Sequence, residues 1–271
     1  MIEYTKYCVF LRKIRNMIKY LERLHEIGIF TLDDVCAMTG NMHSAQQLMQ
    51  NYVKKGLVGS IRRGLYCVND LSTKTPVANK FEIGSAIAED AYISYHSALE
   101  YHGFAHQMTF EVQVSTSKRI SGFTHNGLDY KIFRSYSNKY VETPLLGKTR
   151  VSNLERTVID CIDNIDRVGG LEELVHCISA ISLLNSSKML DYLDGINKSF
   201  LYQKAGFILQ YFKENMLLDD DFIKTCKEKG ALHPKYLTND RNESNFYHKD
   251  WKLYGPQNLL SYLEQRNYEN V

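Results

Sequence analysis

The chain has 271 residues, 44% hydrophobic and 12% aromatic, a composition that excludes an intrinsically disordered protein and allows one large domain or two ordinary ones. The apolar runs are too short for a membrane span, and the sequence has no recognisable secretory signal. Its six cysteines are scattered without a C-x-x-C pair, which argues against a disulfide or zinc framework. A cytoplasmic protein without a membrane partner is therefore expected. The net charge of +2 is unevenly distributed along the chain. Residues 1–70 contain ten basic and six acidic side chains, whereas residues 151–271 contain fourteen basic and eighteen acidic ones. This asymmetry is compatible with nucleic acid as one partner.

The first seventy residues are predicted to form three short helices followed by a β-hairpin. Apolar periodicity and capping signals predict helices over residues 15–26, 32–39 and 45–55. Gly28 and Gly40 are expected to end the first two helices. Thr31 and Ser44 are the expected N-caps of the second and third. The stretch "LVGSIRRGLYCV" then predicts strand, tight turn and strand, and this order is typical of a winged helix-turn-helix domain, which we place over residues 1–70.

The third predicted helix has an apolar face and a polar face, and no acidic residue occurs between Ser44 and Lys55. Glutamine and asparagine amides can pair with adenine in the major groove, and a lysine suits a phosphate. A carboxylate would repel phosphates, so this acid-free face favours DNA binding over an ordinary solvated helix face. The residues predicted to contact DNA from this helix and the turn before it are His43, Ser44, Gln46, Gln47, Gln50, Asn51 and Lys54.

The tip of the predicted hairpin carries two adjacent arginines. Arg62 and Arg63 are expected to reach phosphates or the minor groove, as the wing of such a domain does. Gly64 is expected to supply the positive φ that a tight turn requires. A solvated hairpin tip is the alternative, but the helix face and the basic turn both favour DNA.

Residues 69–80 are predicted to form a polar linker. The rest of residues 71–150 is predicted to contain helix and a small β-sheet. An apolar helical segment is expected across residues 80–103. The stretches "FEVQVST" and "GLDYKIFRS" alternate as strands do, Asn126-Gly127 is a turn signal, and "GKTRVS" is expected to add one more strand.

Residues 151–271 are predicted to be helical almost to the end. Ser152 and Glu155 form a capping-box signature at the start of the first of these helices. Arg156 and Asp160, four residues apart on that helix, are interpreted as a partly buried ion pair joining the sheet to the C-terminal helices, with an anion site as the alternative. The predicted fold class is therefore α+β: a winged helix-turn-helix, then a larger mixed domain over residues 71–271 with a small β-sheet and a helical C-terminal half.

Several stretches occur in an order that is typical of one family: "EIGIFTLDDVCAMTG", "YVKKGLVGSIRRGLY", "YISYHSALEYHG", "VSNLERTVIDCID" and "GFILQYF". With this series, from about residue 14 to about residue 255, the chain resembles the AbiEi antitoxin family of type IV (abortive-infection) toxin–antitoxin systems. The resemblance implies that the winged helix binds inverted repeats in the double-stranded DNA of its own promoter as a transcriptional repressor, while residues 71–271 neutralise a cognate nucleotidyltransferase toxin. On this resemblance the recognition helix carries Gln46, Gln47, Gln50 and Lys54, and the wing carries Arg62 and Arg63.

A metal site is not predicted. His96, His102 and His106 invite that interpretation, but Gly103 interrupts the helix that would align two of the rings, and no Glu or Cys stands nearby at metal-ligand spacing. These histidines are interpreted as packing at a junction between helix and sheet. Neither a metal nor any other cofactor is expected.

No catalytic residue is predicted either. A nuclease would need a lysine at the third position of the stretch from Glu111 to Gln113, and a nucleotidyltransferase would need paired carboxylates on a strand, whereas Glu89 and Asp90 are expected in a helix. Two alternatives to the antitoxin stay open. One is a winged-helix regulator whose C-terminal domain senses a ligand or partner, and the other is a DNA-targeted nuclease or transferase with an unrecognised active site.

Overall fold

The computed structural model describes residues 20–135, 137–143 and 148–264. Residues 20–27 form helix α1, and residues 15–19 of the predicted first helix lie outside the described residues. The elements that follow are β1 (Ile29–Thr31), α2 (Leu32–Thr39), α3 (Met42–Lys54), β2 (Val58–Arg62) and β3 (Leu65–Val68). Strand β3 pairs antiparallel with both β1 and β2, so the predicted hairpin belongs to a three-stranded sheet.

Side-chain caps fix where α2 and α3 begin. Thr31 caps α2 as predicted, since its Oγ1 accepts a hydrogen bond from the N–H of Asp34 at 3.2 Å, and Gly40 ends that helix at φ +85°. The prediction of Ser44 as the cap of α3 is wrong. Asn41 takes that role, because its Oδ1 accepts a hydrogen bond from the N–H of Ser44 at 2.8 Å, which places Ser44 inside the first turn.

The middle of the chain forms a mixed six-stranded sheet in the order β6-β7-β5-β4-β9-β8. Its elements, in chain order, are α4 (Lys80–Ser85), β4 (Tyr92–Ile93), α5 (Tyr95–Tyr101), β5 (Glu111–Thr116), β6 (Phe123–His125), β7 (Leu128–Arg134), β8 (Val141–Glu142) and β9 (Val151–Ser152). The predicted strands and the Asn126-Gly127 turn are confirmed. The single helical segment predicted over residues 80–103 is wrong, because Tyr92 and Ile93 are both buried and pair with β5, and Ile93 also pairs with β9.

The C-terminal half is helical as far as residue 229 and then forms another sheet. Its elements are α6 (Leu154–Asp163), α7 (Leu171–Ser179), α8 (Ser186–Ile196), α9 (Ser199–Leu209), α10 (Lys213–Met216), α11 (Asp220–Lys229), β10 (Lys235–Tyr236), β11 (Phe246–His248), β12 (Leu253–Gly255) and α12 (Ser261–Glu264). The expected start of α6 is wrong by one residue, because Asn153 is its cap and Ser152 ends strand β9. The sheet β10-β12-β11 was not expected.

Among the described residues, three hydrophobic clusters hold this α+β fold together. One joins α1, α2, α3 and the first sheet around Leu24, Phe30 and Tyr52, and the largest fills the space between the C-terminal helices. The third includes Ile61 and Leu65 of the hairpin together with residues of the middle sheet. Apolar contacts therefore cross the boundary predicted after residue 70, and that boundary stays a prediction. Within the described residues, no helix combines the length and the apolar composition that a bilayer crossing requires.

Candidate nucleic-acid interface

A groove of about 730 Å³ lies between α3 and the β2–β3 hairpin. Gln46, Gln50 and Lys54 line the helix side, and their spacing of four residues places them on one stripe of α3. The hairpin side presents Ser60 and Tyr66, which were not predicted because only the strand register decides that they face α3. The apolar residues that complete the lining are Leu32, Met49 and Val53. The groove thus combines amides, a hydroxyl, a phenol and an ammonium group with an apolar floor.

The other predicted α3 residues form a second stripe next to the groove. His43, Gln47 and Asn51 are exposed and are again four residues apart. The Nε2 atoms of His43 and Gln47 lie 2.9 Å apart, so these two side chains hold each other. Ser44 is half-buried, and its N–H is used by the cap of the helix. Of the predicted helix residues, three therefore line the groove and three lie beside it.

The electrostatics of α3 suit an anionic partner. The helix contains no acidic residue, and Lys54 is exposed at its C-terminal end. Burial raises the pKa of Tyr52, on the inner face, to about 12, so this phenol adds no negative charge below that pH. The side chains that α3 offers to solvent are accordingly neutral or positive.

The two arginines of the hairpin have different surroundings. Arg63 is exposed at the tip, as predicted, and Gly64 makes the turn at φ +81°. Arg62 is half-buried instead, because its guanidinium lies over the ring of Phe123 in strand β6, with 5.4 Å between Cζ and the ring centroid. The DNA contact predicted for Arg62 stays a prediction, and its guanidinium has a partner within the chain that the sequence did not indicate.

A second cluster of chemically reactive side chains is buried where α7 meets α5 and the loop after it. The carboxylate of Glu173 is its centre, and this side chain is 1% exposed. Its Oε1 accepts hydrogen bonds from His96 Nε2 at 3.0 Å, the N–H groups of His106 and Gln107 at 3.0 and 2.9 Å, and Cys177 Sγ at 3.2 Å. Its Oε2 lies 3.1 Å from His106 Nδ1. Four donors therefore converge on one oxygen.

This cluster corrects the expectation that no Glu or Cys accompanies His96. The candidate ligand atoms of His96, Glu173 and Cys177 lie within 4.8 Å of one another, close enough to surround a metal ion. Two backbone N–H groups also bind the carboxylate, and burial beside Glu173 raises the pKa of the Cys177 thiol to about 12. The donor set thus fits a carboxylate that anchors the loop better than it fits a metal centre.

The residues considered for catalysis take part in ordinary surface and turn contacts. Glu111 Oε1 lies 3.5 Å from Lys131 Nζ, and both side chains are about half exposed. Glu89 and Asp90 lie in a turn rather than in the predicted helix. Burial alone would raise the pKa of Asp90, but hydrogen bonds from residues 116 and 117 bring it down to about 2.

Arg156 and Asp160 form the structural ion pair that was predicted. Arg156 is 2% exposed, and its Nε lies 3.2 Å from Asp160 Oδ2. Its Nη1 donates to the carbonyl of Lys139 at 2.6 Å, and its Nη2 donates to the hydroxyl of Tyr92. Asp160 Oδ1 in turn accepts a hydrogen bond from the hydroxyl of Tyr192 at 2.6 Å. The Arg156 guanidinium thus joins the middle sheet to the C-terminal helices.

Comparison with known proteins gives a likeness in fold. No protein-family model matches the chain, and no curated protein matches it. Among solved structures, the crystal structure of the RV2827C protein from Mycobacterium tuberculosis aligns with 88% of this chain and 89% of its own, at a TM-score of 0.62 and 11% identity. At this identity, the similarity concerns the α+β fold alone.

Proposed function

We propose that this protein is a DNA-binding antitoxin of the AbiEi kind, which represses its own promoter through an N-terminal winged helix and neutralises a nucleotidyltransferase toxin through residues 71–271. The observation that carries the proposal is the groove between an acid-free helix face and a hairpin whose tip exposes Arg63. The protein acts in this proposal as a binding protein and not as an enzyme.

The order of the N-terminal elements supports the DNA-binding part. Helices α2 and α3 followed by the β2–β3 hairpin match the order of a winged helix-turn-helix, in which the second of two helices enters the major groove. Helix α3 has 13 residues and a length of about 20 Å, and an α-helix with its side chains is about 10–12 Å across, which suits a major groove about 12 Å wide. Gln46 and Gln50 are then the base-reading residues, while Lys54 and Arg63 bind phosphates.

The toxin-neutralising part is supported by the resemblance of the motifs alone. Its test is co-expression with the product of the adjacent reading frame, in which growth and complex formation are scored together. Rescue of growth by this chain supports the proposal. A neighbour without nucleotidyltransferase carboxylates, or toxicity that this chain does not relieve, contradicts it.

The DNA-binding part predicts a defined dependence on salt. If Lys54 and Arg63 each neutralise one phosphate, the logarithm of the binding constant should fall against that of the salt concentration with a slope of about −1.8 per protomer from these two residues. Lys54→Ala with Arg63→Ala should remove this part of the slope, measured by fluorescence anisotropy on duplexes from the promoter region.

A matched control for this experiment is Lys188→Ala, since Lys188 is exposed on α8 in the C-terminal half. It should leave both the affinity and the slope unchanged. A slope that stays the same in the double variant would remove Lys54 and Arg63 from the interface.

A polar cavity of about 310 Å³ favours the regulator with a sensing domain as a second candidate. It is lined in part by His96, Gln113, Lys131 and Arg167. A chain of this kind would bind its promoter but would give no protection in the co-expression test. A shift of DNA affinity by a small molecule, lost on Lys131→Ala, would support it.

A further inference from the structure

The β2–β3 hairpin rests on the middle sheet with one of its faces. Ile61 and Leu65 are 5% and 6% exposed, and both belong to the cluster that contains Ile83 and Tyr130. The hairpin is therefore not a free arm. It has one face toward the groove and the other face in a hydrophobic core built mainly by residues after position 70.

Arg62 extends this contact beyond the apolar residues. Its guanidinium lies over Phe123, and the Phe123 ring stacks on Tyr130 with 4.6 Å between centroids and 2° between planes. Nη1 of Arg62 is buried and makes no hydrogen bond to any described residue, so the ring face is a main partner of this cation. Gly122 allows the close approach at the start of β6, since a Cβ there would lie 2.8 Å from the carbonyl oxygen of Tyr130.

A separate contact fixes helix α1 to the same part of the chain. Lys148 Nζ donates a hydrogen bond to the carbonyl of Glu26 at 2.9 Å, and a second one to the carbonyl of Ile27. A cation at the C-terminal end of a helix is favourable, because the last carbonyls carry partial negative charge. Helix α1 and the β2–β3 hairpin are thus both attached to residues after position 70.

From these contacts we infer that Arg62 is a positioning residue, which with Phe123 fixes the hairpin at the distance from α3 that DNA requires. The inference rests on the proposed function and deepens it: the middle sheet completes the DNA-binding surface without touching DNA. Arg63 is the phosphate ligand of the hairpin, and its neighbour Arg62 is the clamp.

The experiment measures DNA binding by Arg62→Ala, Phe123→Ala and the double variant, with Arg63→Ala as the matched control. The probes are short fluorescein-labelled duplexes tiling the DNA upstream of the protein's own reading frame, and one shuffled duplex, over a range of salt concentrations. Arg62→Ala and Phe123→Ala should each weaken binding by about three- to tenfold, and the double variant by no more than the larger single effect. The salt slope should stay constant in these variants, whereas Arg63→Ala should flatten it by about 0.9.

Two further variants separate positioning from phosphate contact and from misfolding. Arg62→Met keeps a flexible side chain that packs on an aromatic ring but carries no charge, and it should retain affinity within about twofold of the wild type. Phe123→Leu replaces Phe123→Ala if the latter unfolds. A slope flattened by Arg62→Ala as much as by Arg63→Ala, with no rescue by Arg62→Met, would overturn the inference and leave the proposed function intact.

A wild-type chain that binds none of the duplexes would instead overturn the DNA-binding part of the proposed function and, with it, the DNA role of the clamp. The contact between Arg62 and Phe123 is then tested by thermal unfolding of the wild type, Arg62→Ala, Phe123→Ala and the double variant. Coupled effects of Arg62 and Phe123 on the unfolding midpoint support a clamp between the two parts of the chain, and additive effects contradict it.

Discussion

At the scale of single residues, the side-chain amides of Gln47 and Gln50 have different surroundings. Gln50 lines the groove, whereas the Gln47 amide is held by His43. Gln50→Ala should therefore weaken promoter binding by about 1–3 kcal/mol, and Gln47→Ala should cost less. The measurement compares affinities for the promoter and a shuffled duplex. Equal losses on both duplexes would show that Gln50 reads no base.

Glu173 makes the stability of the loop after α5 dependent on pH. Burial by itself raises the pKa of Glu173, but hydrogen bonds from Gln107, Cys177, His96 and His106 together hold it below its ordinary value of 4.5. A lowered pKa in the folded state means that the charged form stabilises the fold above that value, and that this contribution is lost as the pH falls below it.

Glu173→Gln should therefore lower the free energy of unfolding by about 2 kcal/mol at neutral pH, because the amide cannot accept every one of these hydrogen bonds. The difference from the wild type should shrink below pH 4.5, as measured by urea unfolding at several pH values. The exposed Glu172→Gln, one residue earlier on α7, is the control. A constant difference at every pH would contradict the role of the charge.

The candidate site also shows what a sequence can tell about single residues. The polar stripes of α3 follow from helical periodicity, and every predicted residue on them is exposed or half-buried. Arg62 and Arg63 are adjacent residues of the same type, and their surroundings differ because Arg62 contacts Phe123, which is distant in the sequence. In the same way His96 meets Glu173 across 77 positions. Contacts of this range leave no periodic signal.

At the scale of elements, the start of α3 gives a direct test of capping. Asn41→Ala should destabilise the protein by about 1 kcal/mol, since it removes the acceptor for the N–H of Ser44. Ser44→Ala should be neutral or slightly stabilising, because alanine is the better helix former inside the first turn. Thermal unfolding of both variants measures this, and a larger loss for Ser44→Ala would contradict the assigned cap.

The same element shows why helix boundaries were predicted less well than helices. At α3 and at α6 an asparagine and a serine both stand near the start, and either side chain can cap a helix. Only the backbone geometry decides between them. The sheet of β10, β11 and β12 was missed for another reason: strands of two or three residues are too short to show alternation.

At the scale of the whole molecule, the shared cluster makes the two predicted domains depend on each other. A fragment of residues 1–70 would expose Ile61 and Leu65, and burying one such side chain contributes about 1.5–3 kcal/mol. We expect this fragment to lack a cooperative thermal transition in circular dichroism, and to regain one when residues 71–271 are added. Cooperative unfolding of the isolated fragment would contradict this. Point substitutions are therefore better than deletions for separating the proposed DNA binding from the proposed toxin neutralisation.

The distribution of thiols through the cores has a consequence for experiment. Cys67 lies in the cluster shared with the hairpin, while Cys161, Cys177 and Cys226 lie in the largest cluster, and burial raises the pKa of all four. Since only a thiolate is readily alkylated, iodoacetamide should modify these sites only when the chain opens. Peptide mass spectrometry then follows each site separately. The three in the largest cluster should react at one common rate. A faster reaction at Cys67 would show that residues 20–70 separate from the middle sheet before the largest cluster opens.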